Sequence, residues 1–187
     1  MADGYVVITG GPGAGKSTLV EHLASLGFRV QPEAGRAIIR DQVAISGPAL
    51  PWLDPGLFAE LMLSWDLRSY HAAAPETGPV VFDRGLVDTI GYLRMLGRTV
   101  PRHLDNAART YRYHRRVFAA PPWPEIYEHD SERKQSLGEA ERTYDAVVGA
   151  YADYGYSVIT LPRAPVEERA AFLIRAAGSR ADHFHSL

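Results

Sequence analysis

The chain has 187 residues, of which 46% are hydrophobic and 22% charged, with a formal net charge of -2. These values fit one globular domain able to bury a full core, and the charge balance gives no reason to expect nucleic acid or an anionic membrane as partner. Without cysteine there is no disulfide framework and no thiolate metal site, and no apolar run approaches the roughly 18 residues of a membrane span, so a soluble, cytoplasmic protein is the expectation.

In chain order, Tyr5, Val6, Val7, Ile8 and Thr9 form a β-branched apolar run that reads as a buried strand. Directly behind it comes Gly10-Gly11-Pro12-Gly13-Ala14-Gly15-Lys16-Ser17-Thr18, which fits G-x-x-x-x-G-K-[ST]. Leu19, Val20, Leu23 and Leu26 then recur at helical spacing, and Gly27 is a stop signal. Strand, glycine loop and helix together separate a phosphate-binding loop from a chance match. The residue types explain the chemistry. Glycines let backbone N–H groups turn towards phosphate oxygens, and the helix N-terminus favours negative charge. Gly11, Pro12, Gly13, Ala14, Gly15, Lys16, Ser17 and Thr18 are therefore candidates to hold a nucleoside triphosphate. Lys16 would reach the β- and γ-phosphates, and the Ser17 hydroxyl would ligate Mg²⁺.

Residues 28–31 give a second strand closed by Pro32, and Glu33-Ala34-Gly35-Arg36 leads into a helical pattern through Ala37, Ile38, Ile39 and Val43. A proline-rich loop over 48–55 ends on Asp54 and Pro55, which suit the N-cap and first position of a helix over 56–74. Val80, Val81, Phe82 and Asp83 read as a third buried strand ending on a carboxylate, followed at once by Arg84 and Gly85. A helix over 86–96 carries Asp88 and Tyr92, one and two turns beyond Arg84. The stretch 101–114 is helical, basic and aromatic, and a fourth strand over 116–120 is cut off by Pro121, Pro122, Trp123 and Pro124. A polar segment with Arg133 and Lys134 precedes a helix through Ala140, Tyr144, Val147, Val148 and Tyr151. A fifth strand covers 156–161, and the helix over 165–177 turns Val166, Ala170, Leu173 and Ile174 inward.

Five short apolar strands separated by helices specify an α/β fold, a five-stranded parallel sheet flanked by helices on both faces. Residues 1–178 would form the domain and 179–187 a tail. Right-handed crossovers place ligands outside the carboxyl ends of the strands, where the glycine loop, Glu33, Asp83 and the proline turn gather. A guanine-selective GTPase would carry N-K-x-D, but the one asparagine, Asn106, precedes Ala107, Ala108 and Arg109. Motor and remodelling ATPases usually end the third strand on two adjacent acids; here Asp83 is followed by Arg84. A small phosphotransferase fits what remains.

In the P-loop, Glu33-x-x-Arg36, Asp83-Arg84 and the turn at Pro121, Pro122, Trp123 and Pro124, the chain resembles a family of small P-loop NTPases and kinases. That family includes the nicotinamide-riboside kinase domain of NadR-type proteins and related predicted AAA-type ATPases. The likeness runs from Tyr5 to about Ile174. It implies a nucleoside- or nucleotide-kinase-like fold, ATP as donor with GTP as the alternative, Mg²⁺, and transfer to a hydroxyl of a small, nucleoside-like acceptor. It further implies Glu33 as the base that takes the acceptor's proton and Asp83 as a Mg²⁺ ligand beside Ser17. Arg36 and Arg84 would grip the acceptor, and Arg133, with Lys134 and Arg142 behind it, would come from a lid over about 122–138. Plainer roles stand beside these: Glu33 as a helix-start carboxylate, Arg84 ion-paired to Asp88, and Arg133 solvated. Trp52, Trp65, Tyr111, Tyr113 and Trp123 either stack on a planar ring or pack the core. No adenylyltransferase segment accompanies the kinase-like one, so nicotinamide riboside is not assumed as acceptor. A regulatory NTPase switch with a protein or lipid partner is the alternative reading.

Overall fold

The computed structural model describes residues 4–73, 78–126 and 137–178. At its centre lies a five-stranded sheet in which every pairing is parallel. Its strands are β1 Tyr5–Gly10, β2 Arg29–Gln31, β3 Val80–Asp83, β4 Arg116–Ala120 and β5 Ser157–Thr160, in the spatial order β2-β3-β1-β4-β5. The middle strand β1 is buried along its whole length, as its unbroken apolar run requires. The edge strands β2 and β5 have no fully buried residue.

Seven α-helices accompany these strands among the described residues: α1 Lys16–Ser25, α2 Ala34–Ala44, α3 Pro55–Ala72, α4 Leu86–Met95, α5 Arg102–Thr110, α6 Leu137–Asp153 and α7 Val166–Ala177. The two-residue period of β1 assigns helices to the two faces. Tyr5 and Val7 join a cluster with Leu63 of α3, Ile90 of α4, Leu104 of α5 and Tyr151 of α6. Val6 and Ile8 join the opposite cluster, with Leu19 and Leu23 of α1 and Leu173 of α7. A fully buried side chain such as Ile90 or Leu19 contributes about 1.5–3 kcal/mol to this packing. Helices α4 and α6 approach so closely that a Cβ on Gly91 would lie 2.8 Å from Val147 Cα, leaving room for glycine only. A third, smaller cluster packs Ala34 and Ile38 of α2 against Phe58 and Met62 of α3.

Local signals behave as their chemistry dictates. Asp54 Oδ1 accepts from Leu57 N at 3.0 Å, with Pro55 as the first residue of α3. Helix α5 stops at Thr110, earlier than the sequence pattern suggests, because the chain is already joining the sheet: His114 N donates to Tyr5 O at 2.8 Å. Two arginines of this stretch make contacts within the fold. Arg109 pairs with Asp105 at 2.9 Å, and Arg112 lies 4.0 Å over the Tyr156 ring while donating to Tyr154 O. Among the described residues no helix is long and apolar enough to cross a membrane.

Candidate active site

Strand register gathers three strand ends, with β1 and β4 ending level and β3 two residues short of them. Ile8 pairs with Asp83 on one side and Phe118 on the other, which sets Gly10 beside Ala120. The winding reverses at β1, so a crevice opens beyond its carboxyl end. The glycine loop occupies it. Gly10 has φ +130°, and a Cβ there would lie 2.3 Å from Ala120 O, so a side chain would both strain and clash. Lys16 opens α1, is only 6% exposed, and donates from Nζ to Gly11 O at 2.6 Å. Burial, then the charge of Arg84, bring its pKa down to about 8, while Asp83, Glu33 and Asp88 pull the other way. Phosphate oxygens in the loop would favour the charged amine.

Arg84 ties the site together. Its φ of +71° is left-handed, rare for a residue with a side chain, and costs about 1–2 kcal/mol. Nε donates to Glu33 Oε1 at 3.0 Å, and Nη1 donates to Gly10 O at 2.9 Å and to Asp88 Oδ1 at 3.1 Å. Asp88 accepts as well from the Thr9 hydroxyl, from Gly85 N at 3.0 Å and from the Tyr151 hydroxyl at 2.7 Å. The ion pair with Asp88 and a place in the site therefore coexist. Glu33 lies 3.0 Å from Arg84 and 3.7 Å from Arg36. Burial pushes its carboxyl up, but Arg84, Lys16 and Arg36 outweigh burial and hold it below the usual range. Glu33 is thus ionised at neutral pH, as a proton acceptor must be.

Asp83 differs from these. It is 7% exposed, and its Oδ1 has no hydrogen-bond partner among the described residues. Burial pushes the carboxyl up, with Lys16 opposing. An orphaned carboxylate oxygen beside a phosphate loop suits a hard cation such as Mg²⁺. No group of three acids or histidines converges on a metal position among the described residues. Phosphate oxygens and water would therefore complete the coordination offered by Asp83 and the Ser17 hydroxyl.

A cavity of about 690 Å³ opens over the loop. Residues 13–18 line it together with Glu33 and Arg36, and Trp123, Ile126, Val166 and Arg169 close the far side. Of the five candidate stacking residues, Trp123 alone lines this cavity. Trp52 is exposed, Tyr113 is core, and Trp65 and Tyr111 pack against the core clusters. Sequence reasoning missed Arg169. It is 3% exposed, donates to Gly15 O at 3.0 Å and Ala14 O at 3.3 Å, and sits 5.8 Å over the Trp123 ring. Its signal was a charge set on the inward stripe of α7 beside Val166, Ala170 and Leu173. Arg142 is exposed on α6. Arg133, Lys134 and most of the expected lid lie outside the described residues.

The AAA_28 family model, described as an AAA domain, matches residues 5–169. Among solved structures, the NadR protein in complex with NR is similar at a TM-score of 0.68 and 18% identity, over 93% of this chain and 51% of that one. Deoxyadenosine kinase from M. mycoides is similar at 0.64 and 14% identity, over 94% and 99%. Thymidylate kinase from Ehrlichia chaffeensis is similar at 0.63 and 12% identity, over 92% and 97%. At these identities the likeness is one of fold. No curated protein matches the sequence.

Proposed function

The chain belongs to the AAA_28 family, and from that premise we propose that it is an ATP- and Mg²⁺-dependent phosphotransferase acting on a hydroxyl of a small, nucleoside-like molecule. The observation that carries this reading is Glu33. An ionised carboxylate lines the same cavity as the phosphate loop, fixed by Arg84 at 3.0 Å. The similar folds are those of proteins named as nucleoside and nucleotide kinases, which supports a kinase-like activity.

Loop amides and Lys16 hold the β- and γ-phosphates of ATP. The acceptor hydroxyl lies beside Glu33. As its oxygen bonds to the γ-phosphorus, its proton passes to the Glu33 carboxylate, and the bond from that phosphorus to the β–γ bridging oxygen breaks, releasing ADP. Phosphoryl transfer asks mainly for positioning and stabilisation of spread negative charge. Lys16 supplies charge at the loop, Arg84 fixes the direction of Glu33, and Arg36 and Arg84 orient the acceptor. Ser17 and Asp83 would hold Mg²⁺, which would supply positive charge against the phosphates. Trp123 and Arg169 form the wall against which the nucleotide base rests.

Turnover decides between a kinase and a regulatory NTPase. With ATP and Mg²⁺ alone ADP formation should be slow, rising about tenfold or more with one compound from a panel of nucleosides, vitamins and antibiotics. ADP formation indifferent to every acceptor, but changed by a protein or lipid partner, overturns the proposal.

A further inference from the structure

Arg169 sits where a cation has no obvious place. Helix α7 turns Ala170 and Leu173 into the cluster that holds Ala14 of the phosphate loop and Leu19 of α1. Arg169 is buried beside them, and among the described residues it forms no ion pair with a carboxylate. Taking a guanidinium out of water without an acid to pair with is costly, and an apolar side chain would pack the same stripe without that cost. What the guanidinium touches instead is the phosphate loop. Nη2 donates to Gly15 O at 3.0 Å and to Ala14 O at 3.3 Å. Nη1 lies so near the Gly15 backbone that a Cβ there would approach it to 2.9 Å. The Trp123 ring, its centroid 5.8 Å from the guanidinium carbon, helps to keep the group in place.

The two carbonyls matter because of what lies across each peptide unit. A trans peptide sets its C=O and N–H on opposite sides. With the Ala14 and Gly15 carbonyls turned to Arg169, the N–H groups of Gly15 and Lys16 point away from it. Those amides close the glycine loop and open α1, whose start has no side-chain cap. They are donors that a helix N-terminus offers to a phosphate. Gly13 and Gly15 take φ of +71° and +67°, and glycine does not hold such angles by itself. A charged donor shared by both carbonyls restrains that freedom and polarises the amides beyond them. Arg169 lines the cavity together with residues 13–18, so this hold belongs to the same site.

We propose that Arg169 is a positioning residue for the phosphate loop, which by holding the Ala14 and Gly15 carbonyls aims the Gly15 and Lys16 amides at the polyphosphate of the bound nucleotide. This role rests on the loop binding a nucleoside triphosphate, and it holds for a kinase and a regulatory NTPase alike. It comes in addition to the place of Arg169 in the wall beside Trp123. The two roles separate by ligand.

The probes are ATP, adenosine and inorganic tripolyphosphate, each with Mg²⁺, titrated by calorimetry into the wild-type protein, Arg169→Met and Arg169→Lys. Tripolyphosphate has no base, and adenosine has no phosphate. In Arg169→Met the Kd for tripolyphosphate should rise about tenfold, as for ATP, while that for adenosine changes less than about threefold. Arg169→Lys keeps the charge but not the guanidinium, and should still weaken tripolyphosphate by about fivefold or more. Circular dichroism checks that each variant is folded; if Arg169→Met is not, Arg169→Gln carries the same comparison. A tripolyphosphate Kd within about twofold of wild type in Arg169→Met, with ATP weakened, leaves Arg169 a wall for the base and overturns the inference. An adenosine Kd that rises as much as that of ATP does the same, as does a lysine variant that binds tripolyphosphate like the wild type. If the wild-type protein binds neither ATP nor tripolyphosphate, the nucleotide reading of the loop itself falls, and the role of Arg169 with it.

Discussion

Replacing Arg84 with alanine takes one guanidinium away from three acceptors at once. Its nitrogens lie 3.0 Å from Glu33, 3.1 Å from Asp88 and 2.9 Å from the Gly10 carbonyl. The side chains of Arg84, Glu33 and Asp88 are 15%, 21% and 2% exposed, so water screens these pairs little. Removing one partner of such a buried pair costs about 3–5 kcal/mol, because a charge is left enclosed and unpaired. Alanine inherits the left-handed backbone at φ +71°, whereas Arg84→Gly relieves it and should lose about 1 kcal/mol less. Urea unfolding at pH 7, followed by circular dichroism, reads both values, and each kcal/mol corresponds to roughly 2–4 °C in melting temperature. Adding Glu33→Gln to Arg84→Ala should recover about 1–3 kcal/mol, since the stranded charge is then gone. The acid limb gives a second check. Glu33 is held below its ordinary value of 4.5, so the stability from this pair is present above that value. It is lost as pH falls through the folded pKa, and the penalty of Arg84→Ala should shrink in that window. A loss under about 1 kcal/mol at pH 7, or strict additivity in the double variant, would refute Arg84 as the hub of the site.

Three further outcomes follow from the same contacts. Gly10→Ala places a Cβ 2.3 Å from Ala120 O at φ +130°, and should lose at least about 2 kcal/mol in urea unfolding and weaken ATP binding; a wild-type-like variant would show that the strand end yields. Arg169→Met keeps an apolar stem but gives up the bonds to Ala14 and Gly15, so the Kd for ATP should rise about tenfold by calorimetry, and an unchanged Kd would count against a nucleotide wall at Trp123 and Arg169. Asp54→Ala removes the cap of α3 and should cost about 1 kcal/mol in thermal unfolding without changing ATP affinity; an equal change in affinity would mean that the start of α3 reaches the site.

Much of this arrangement could be read from residue order. Runs such as Val6, Val7 and Ile8, or Val80, Val81 and Phe82, have only one good place in a sheet, and a glycine loop between strand and helix has a chemistry of its own. Asp54 with Pro55 marked the start of α3 because capping is local. What could not be read is tertiary. The reach of Arg84 to Glu33, Asp88 and Gly10 depends on a left-handed backbone that nothing in Asp83-Arg84-Gly85 announces. Arg169 occupies the inward stripe of an amphipathic helix, where pattern reasoning attends to the apolar neighbours and treats a charge as solvated. Of the basic residues from Arg109 to Arg116, Arg112 and Arg116 spend donors on the carbonyls of Tyr154 and Ala176, contacts between distant parts of the chain that the sequence does not announce, while Arg109 stays on the surface beside Asp105.

The central claim is that Glu33 takes a proton from an acceptor hydroxyl as the phosphoryl group moves. It is tested most directly by measuring the phosphorylated acceptor by mass spectrometry alongside ADP, in the wild-type protein and in Glu33→Gln. The account predicts one phosphorylated acceptor per ADP in the wild type. In the variant it predicts a fall in kcat of about 10²–10⁴-fold, with ATP affinity held within about twofold. ADP formed without a phosphorylated product, or a Glu33→Gln protein that turns over at close to the wild-type rate, would contradict it.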